Sequence, residues 1–202
     1  MGNWYTNVCI KGSEQGLVVS ALDELGRRAY VTPEVNGWIV VYDQESDKFD
    51  LNELESLTMT LSMRLSCTAL ASFNADDDVL WLGAYENGAL TTRYASERKL
   101  FEDGNEFPAI GAVAEVLCRI FEKPGKERQV KSILRRPHSV LGLVSVLLRV
   151  TFAYLAEVMR HRDLANALGF PEGSVGLGYK YVNRGETPEG LSRENLQKTL
   201  SG

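Results

Sequence analysis

Residues 4–43 read WYTNVCIKGSEQGLVVSALDELGRRAYVTPEVNGWIVVYD, and the fold turns on how this stretch divides. Residues 4–11 alternate and are rich in β-branched and aromatic side chains, the pattern of a strand. Gly12-Ser13 breaks the pattern. Ser13 stands as an N-cap for a helix carrying Leu17, Val18, Ala21, Leu22 and Leu25 at three- and four-residue spacing, and Gly26 stops it. Two short strands then flank residues 33–37, where Asn36-Gly37 accepts the positive φ angles of a tight hairpin.

Working outward, residues 50–66 repeat the helical signal, with Leu51, Leu54, Leu57, Leu61 and Leu65 on one stripe and Asp50 or Asn52 near the start. Three strand-like runs follow, CTALASFN at 67–74, DVLWLGAYE at 78–86 and ALTTRYAS at 89–96, the last two joined by Asn87-Gly88. The order β-α-β-β-α-β-β-β predicts an α+β protein. Its expected core is a ferredoxin-like split β-α-β antiparallel sheet with extra hairpin strands, at residues 1–100.

Beyond a polar junction, residues 107–202 read as a mainly helical region with a C-terminal strand, either a separate unit or part of one continuous domain. AIGAVAEVLCRIF (109–121) and KERQVKSILRR (126–136) are helical runs broken by Pro124-Gly125 and Pro137. A third run, from Ser139 to about Leu168, is apolar on most sides, as expected of a central helix. Arg149 within it argues for burial in protein rather than in a bilayer. SVGLGYKYVNRG (174–185) alternates as a strand with one glycine-lined face, which implies close packing against its backbone.

With 44% apolar and 24% charged residues the chain can bury an ordinary core. Lys and Arg number 8 against 18 Asp and Glu before Phe107, and 14 against 9 from there on, so an acidic first half precedes a basic second half. Cys9, Cys67 and Cys118 are dispersed in periodic segments, as reduced core thiols are, and point to the cytoplasm. His138 and His161 are the only histidines, too few for a zinc site with these cysteines, and no metal is expected.

Residues 160–190, RHRDLANALGFPEGSVGLGYKYVNRGETPEG, look most like a signature. Glycines at 173, 176 and 178 would unwind the recognition helix of a helix-turn-helix, and GSVGLGYK lacks the ending of a phosphate loop. The stretch is expected to close the fold, with Tyr179, Tyr181, Asn183 and Arg184 as candidate ligand-binding residues in a cleft between the two regions. Asn74, Asp76 and Asp78 have the opening spacing of a calcium loop but lack its glycine and final glutamate.

A basic patch of Lys126, Arg128, Lys131, Arg135 and Arg136 would form one side of an amphipathic helix suited to phosphate backbones or an acidic partner. A sequence pI near 5.2 disfavours a dedicated nucleic-acid binder. Tyr5, Trp38, Tyr42, Trp81 and Tyr85 could stack bases only on an open sheet face, within the acidic half. No catalytic residue and no cofactor fingerprint stand out. The expected function is a non-catalytic protein-interaction or regulatory module that self-associates or binds another protein. Nucleic-acid binding through 126–136 and ligand binding or catalysis in the inter-region cleft are the alternatives.

Overall fold

A computed structural model describes residues 2–101, 107–136 and 154–199. The first eight elements follow the expected order: β1 (Tyr5–Lys11), α1 (Gln15–Glu24), β2 (Ala29–Val31), β3 (Trp38–Asp43), α2 (Leu51–Arg64), β4 (Thr68–Ala75), β5 (Val79–Glu86) and β6 (Ala89–Ala95). After them come α3 (Ile110–Ile120), α4 (Glu127–Arg135), α5 (Glu157–Leu168), α6 (Tyr179–Asn183) and β7 (Gln197–Lys198). All strands join one antiparallel sheet in the order β6-β5-β4-β1-β3-β2-β7. The protein is thus a mixed α+β fold.

Strand pleating explains the layers. Along β1, Val8 and Ile10 face one side with Val31, Ile39, Val41, Ala69 and Ala71, and against them pack Val18 and Leu22 of α1 with Leu54, Leu57 and Leu61 of α2. Cys9 faces the other side with Val40, Tyr42, Leu70, Leu80, Leu82 and Tyr94. That side is covered by the chain's own second half, through Val113, Leu117 and Phe121, Val130, Ile133 and Leu134, and Leu164, Leu168 and Phe170. Strands buried on both faces read as nearly continuous apolar runs, as WIVVYD does.

Local chemistry accounts for the ends. Asp50 caps α2, its carboxylate accepting from the Asn52 and Glu53 backbone N–H groups at 2.9 and 3.4 Å. Asn36-Gly37 and Asn87-Gly88 adopt positive φ throughout, as their hairpins require. Helix α1 starts after Glu14 rather than Ser13, without a side-chain cap.

Three expectations for the second half are corrected. The run from Ser139 is not one helix to Leu168: Ala156 is extended and α5 begins at Glu157, while residues 137–153 lie outside the described ones. The segment 174–185 is not a strand: a 3-10 turn at Glu172–Ser174 leads through a bend, with Gly176 at φ 81°, to α6. The C-terminal strand lies instead in the polar tail, where Gln197 and Lys198 pair with Val31 and Tyr30 at the edge of the sheet.

Candidate functional site

The 160–190 stretch is shaped by where α5 must stop. Gly169 takes the left-handed conformation at φ 76°, cheap only without a Cβ, and turns the chain into Phe170-Pro171. Phe170 stacks on Phe121 at 4.2 Å, which in turn stacks on Trp38 at 4.4 Å, fixing the turn against β3. Polar groups of the sheet then hold the segment that follows. Tyr42 donates to the Gly173 carbonyl at 2.8 Å, and Asn7 Nδ2 donates to the carbonyls of Ser174 and Leu177 at 2.8 and 3.0 Å.

Close approach to the backbone, expected from the glycines, is found without the strand geometry. A Cβ on Gly178 would collide with the Asp47 carboxylate and the Tyr5 side chain. Asp47 uses this proximity to accept from the Lys180 backbone N–H at 2.9 Å, which caps the first turn of α6 from a residue 133 positions away. Burial pushes its carboxyl up to about 6, against the opposing pull of the Lys180 backbone N–H and ammonium. Its Oδ1 is buried without a hydrogen-bond partner.

Two pockets flank this stretch. The smaller, of about 350 Å³, is lined by Gln44, Asp47 and Lys48 from the turn after β3 and by Tyr179, Lys180, Asn183 and Arg184 of α6. Three of the four residues chosen from sequence thus meet here, while Tyr181 lies outside the lining, its ring 5.1 Å from the Lys180 ammonium. Asn183 Oδ1 accepts from Tyr30 Oη at 3.0 Å, and Tyr179 packs beside Tyr30. Three basic residues and one acidic residue belong to this lining. Lys48 also pairs with Glu45 at 2.5 Å, an exposed contact worth little, and Lys180 lies 4.6 Å from the Phe49 ring centre. Arg184 is exposed and has no ion-pair partner among the described residues.

The larger pocket, of about 450 Å³, lies between the β2–β3 turn, the end of α5, the 170–173 turn and residues 188–191. Val40, Ala165, Phe170, Pro171 and Leu191 give it an apolar floor.

Buried titratable groups lie elsewhere. Tyr5 Oη and His161 Nδ1 are 2.8 Å apart, both side chains fully buried, and burial pushes the imidazole down to about 3. Burial pushes the Cys9 thiol up to about 12, the environment of an inert core cysteine rather than a nucleophile. Around them the interior leaves Asn7 Oδ1, Ser72 Oγ and His161 Nε2 without hydrogen-bond partners.

The remaining sequence candidates separate. Helix α4 buries Val130, Ile133 and Leu134 and exposes Lys126, Arg128 and Arg135. Lys131 approaches Gly111 of α3, and Arg136 pairs with Asp163 at 3.6 Å. Tyr5, Trp38, Tyr42, Trp81 and Tyr85 are buried and offer no stacking platform. Asp76 Oδ1 accepts from Gly2 N and Trp4 Nε1, both at 2.9 Å, and Asp77 Oδ2 from Asn3 N at 2.9 Å, so this turn ties down the start of the chain. Among the described residues no group of three or more His, Cys, Asp or Glu is placed to hold a metal, and no helix is long and apolar enough to cross a membrane.

Asp47, Lys48 and Lys180 were not foreseen. Their segments are ordinary polar sequence, and no spacing rule links residue 47 to residue 180. Comparison with protein-family models, curated proteins and solved structures finds no match.

Proposed function

We propose that the protein is a non-catalytic regulatory or interaction module that recognises an anionic group in the pocket between the turn at residues 44–48 and α6. The convergence of Lys48, Lys180 and Arg184 on a 350 Å³ concavity with Tyr179 and Asn183 carries this reading. A lining with three basic residues and one acidic residue, whose carboxylate is already bonded to the Lys180 backbone N–H, suits a phosphate or carboxylate, with Asn183 and Gln44 available for polar contacts. The titratable lining contains no nucleophile with a base in reach, which favours binding over turnover.

Amide NMR titration of the full chain with inorganic phosphate and with AMP at low salt tests it. Saturable shifts at Lys180, Asn183 and Arg184, weakened about tenfold by Arg184→Glu, are expected. Absence of saturable shifts at roughly 10 mM of either probe would overturn the reading.

Self-association is proposed alongside. Met59 and Met63 on α2 are 43% and 58% exposed, and Leu90 beside the adjoining hairpin is 47% exposed, an apolar patch that a second copy or another protein would cover. Light scattering that reports a monomer at micromolar concentration, at both low and high salt, counts against it. The exposed cations Lys126, Arg128 and Arg135 support the second reading, nucleic-acid binding by α4, which absent mobility shifts at low salt would dispose of. We further propose that β4-β1-β3-β2 with α1 and α2 forms a ferredoxin-like unit, supported by that strand order, to which β5, β6 and β7 are additions. A cytoplasmic location, with no role for a membrane, fits three buried free thiols.

A further inference from the structure

We propose that the 450 Å³ pocket is a receptor for an organic cation: a primary ammonium or guanidinium carried on an apolar stem. The inference is independent of the anion pocket and uses none of its residues.

The pocket has two chemically distinct zones. Its floor is Val40 from the sheet, Ala165 from α5, Phe170 and Pro171 from the turn, and Leu191. A hydrocarbon stem placed there exchanges water for carbon at about 25 cal/mol per Å² of apolar surface removed from solvent. The lining also includes two acidic residues, Glu172 and Glu189, both exposed and with side chains in no hydrogen bond or ion pair among the described residues. No lysine, arginine or histidine belongs to the lining. Lys123 does not belong to the lining, although its ammonium lies 3.6 Å from the position of a Cβ on the lining residue Gly169.

Two unpaired negative charges beside a low-dielectric floor favour a single positive charge, penalise an anion of the same stem, and do little for a neutral one. The amides of Asn36 and Asn166 add carbonyl acceptors for an N–H donor. The walls are pre-formed, which limits the ordering cost of binding. Gly173 is held by the hydrogen bond its carbonyl accepts from Tyr42 at 2.8 Å, and a Cβ on it would meet Pro188 at 3.1 Å. The same chemistry is presented by a free alkylamine and by the lysine side chain of a partner protein.

Amide NMR titration of the full chain with hexylamine, hexanol and hexanoate, which share one stem, tests the assignment. Hexylamine is expected to saturate shifts at Asn36, Asn166, Gly173 and Gly190, with hexanol about tenfold weaker and hexanoate without effect. The double variant Glu172→Gln/Glu189→Gln, at exposed positions, should keep its melting temperature and its hexanol affinity while losing about tenfold for hexylamine. N-acetyl-lysine methylamide distinguishes the sources: binding comparable to hexylamine assigns the site to a partner's lysine, and failure beside hexylamine binding assigns it to a free amine. Equal affinity for hexylamine and hexanol, unchanged hexylamine affinity in the double variant, or no shifts at these amides would each overturn the proposal.

Discussion

Asp47 and His161 are buried titratable groups with opposite pH signatures. For Asp47, whose carboxyl is pushed up to about 6, the native state keeps a proton that the unfolded chain has released between about pH 4 and 6. Its contribution therefore becomes less favourable as pH rises through that window. His161 is held neutral down to about 3, so below its ordinary value near 6.5 the unfolded chain gains a proton that the native state refuses, and stability falls with pH. The two effects oppose each other in acid. Asp47→Asn keeps an acceptor for the Lys180 N–H and removes only the first effect. The variant is expected to gain up to about 100-fold in folding constant at pH 7, and to lose melting temperature more steeply than the parent from pH 6 to 4. Parallel melting curves against pH would contradict this. Arg160 offers a second check. It is 1% exposed, pairs with the fully buried Glu157 at 2.6 Å, and donates to the carbonyls of Ile133, Leu134 and Arg136 that end α4. Arg160→Met removes the buried cation beside Glu157 and the donor to those carbonyls, and urea unfolding should show a loss of about 3–5 kcal/mol. Neither role is legible in sequence, because each depends on partners that only the folded chain brings near.

Elements differ in how far sequence reveals them, and the reason is whether their signals are local. The order through β6 can be read because period-2 and helical spacings alternate cleanly, and because Asn36-Gly37 and Asn87-Gly88 mark hairpins by their own backbone preference. Helix α6 misleads. Its residues alternate like a strand, yet it is five residues long and its first turn is capped by Asp47 across the molecule. The glycines there mark close contact rather than strand pleating. At Gly178 the backbone is extended, at φ −132°, so an alanine fits the dihedral angles and only the space is lacking. Gly178→Ala should therefore cost about 1–3 kcal/mol by displacing Asp47 or Tyr5, and should speed hydrogen exchange at the Lys180 amide, which reports the broken cap. A variant with the parent's melting temperature and exchange rate would refute the account.

At the scale of the molecule, one sheet collects both early and late strands, and its second face is roofed by residues from 110–134 and 154–182. The surplus of apolar faces in the sequence foretells such a roof, but not that β7 would come from a polar tail. Side chains make up for that tail's short ladder. Thr199 Oγ1 accepts from Ala29 N at 2.9 Å and donates to the Arg27 carbonyl at 2.8 Å, and Leu196 is buried. Deleting residues 196–202 should lower the melting temperature and, by baring the edge of β2, produce concentration-dependent aggregation visible in light scattering. Of the candidate site, Tyr179, Asn183 and Arg184 could be nominated from composition alone. The turn at residues 44–48 that completes their pocket could not, since nothing local distinguishes it.

The pairing of Tyr30 and Val31 with Lys198 and Gln197 also has a temporal meaning. On a ribosome adding about 5–20 residues per second, the early strand emerges roughly ten to thirty seconds before the segment that seals it. Until then a nascent chain presents an adhesive border to its neighbours. Crowded polysomes would be where this protein is most exposed to mispairing, and holding chaperones should act on it before release.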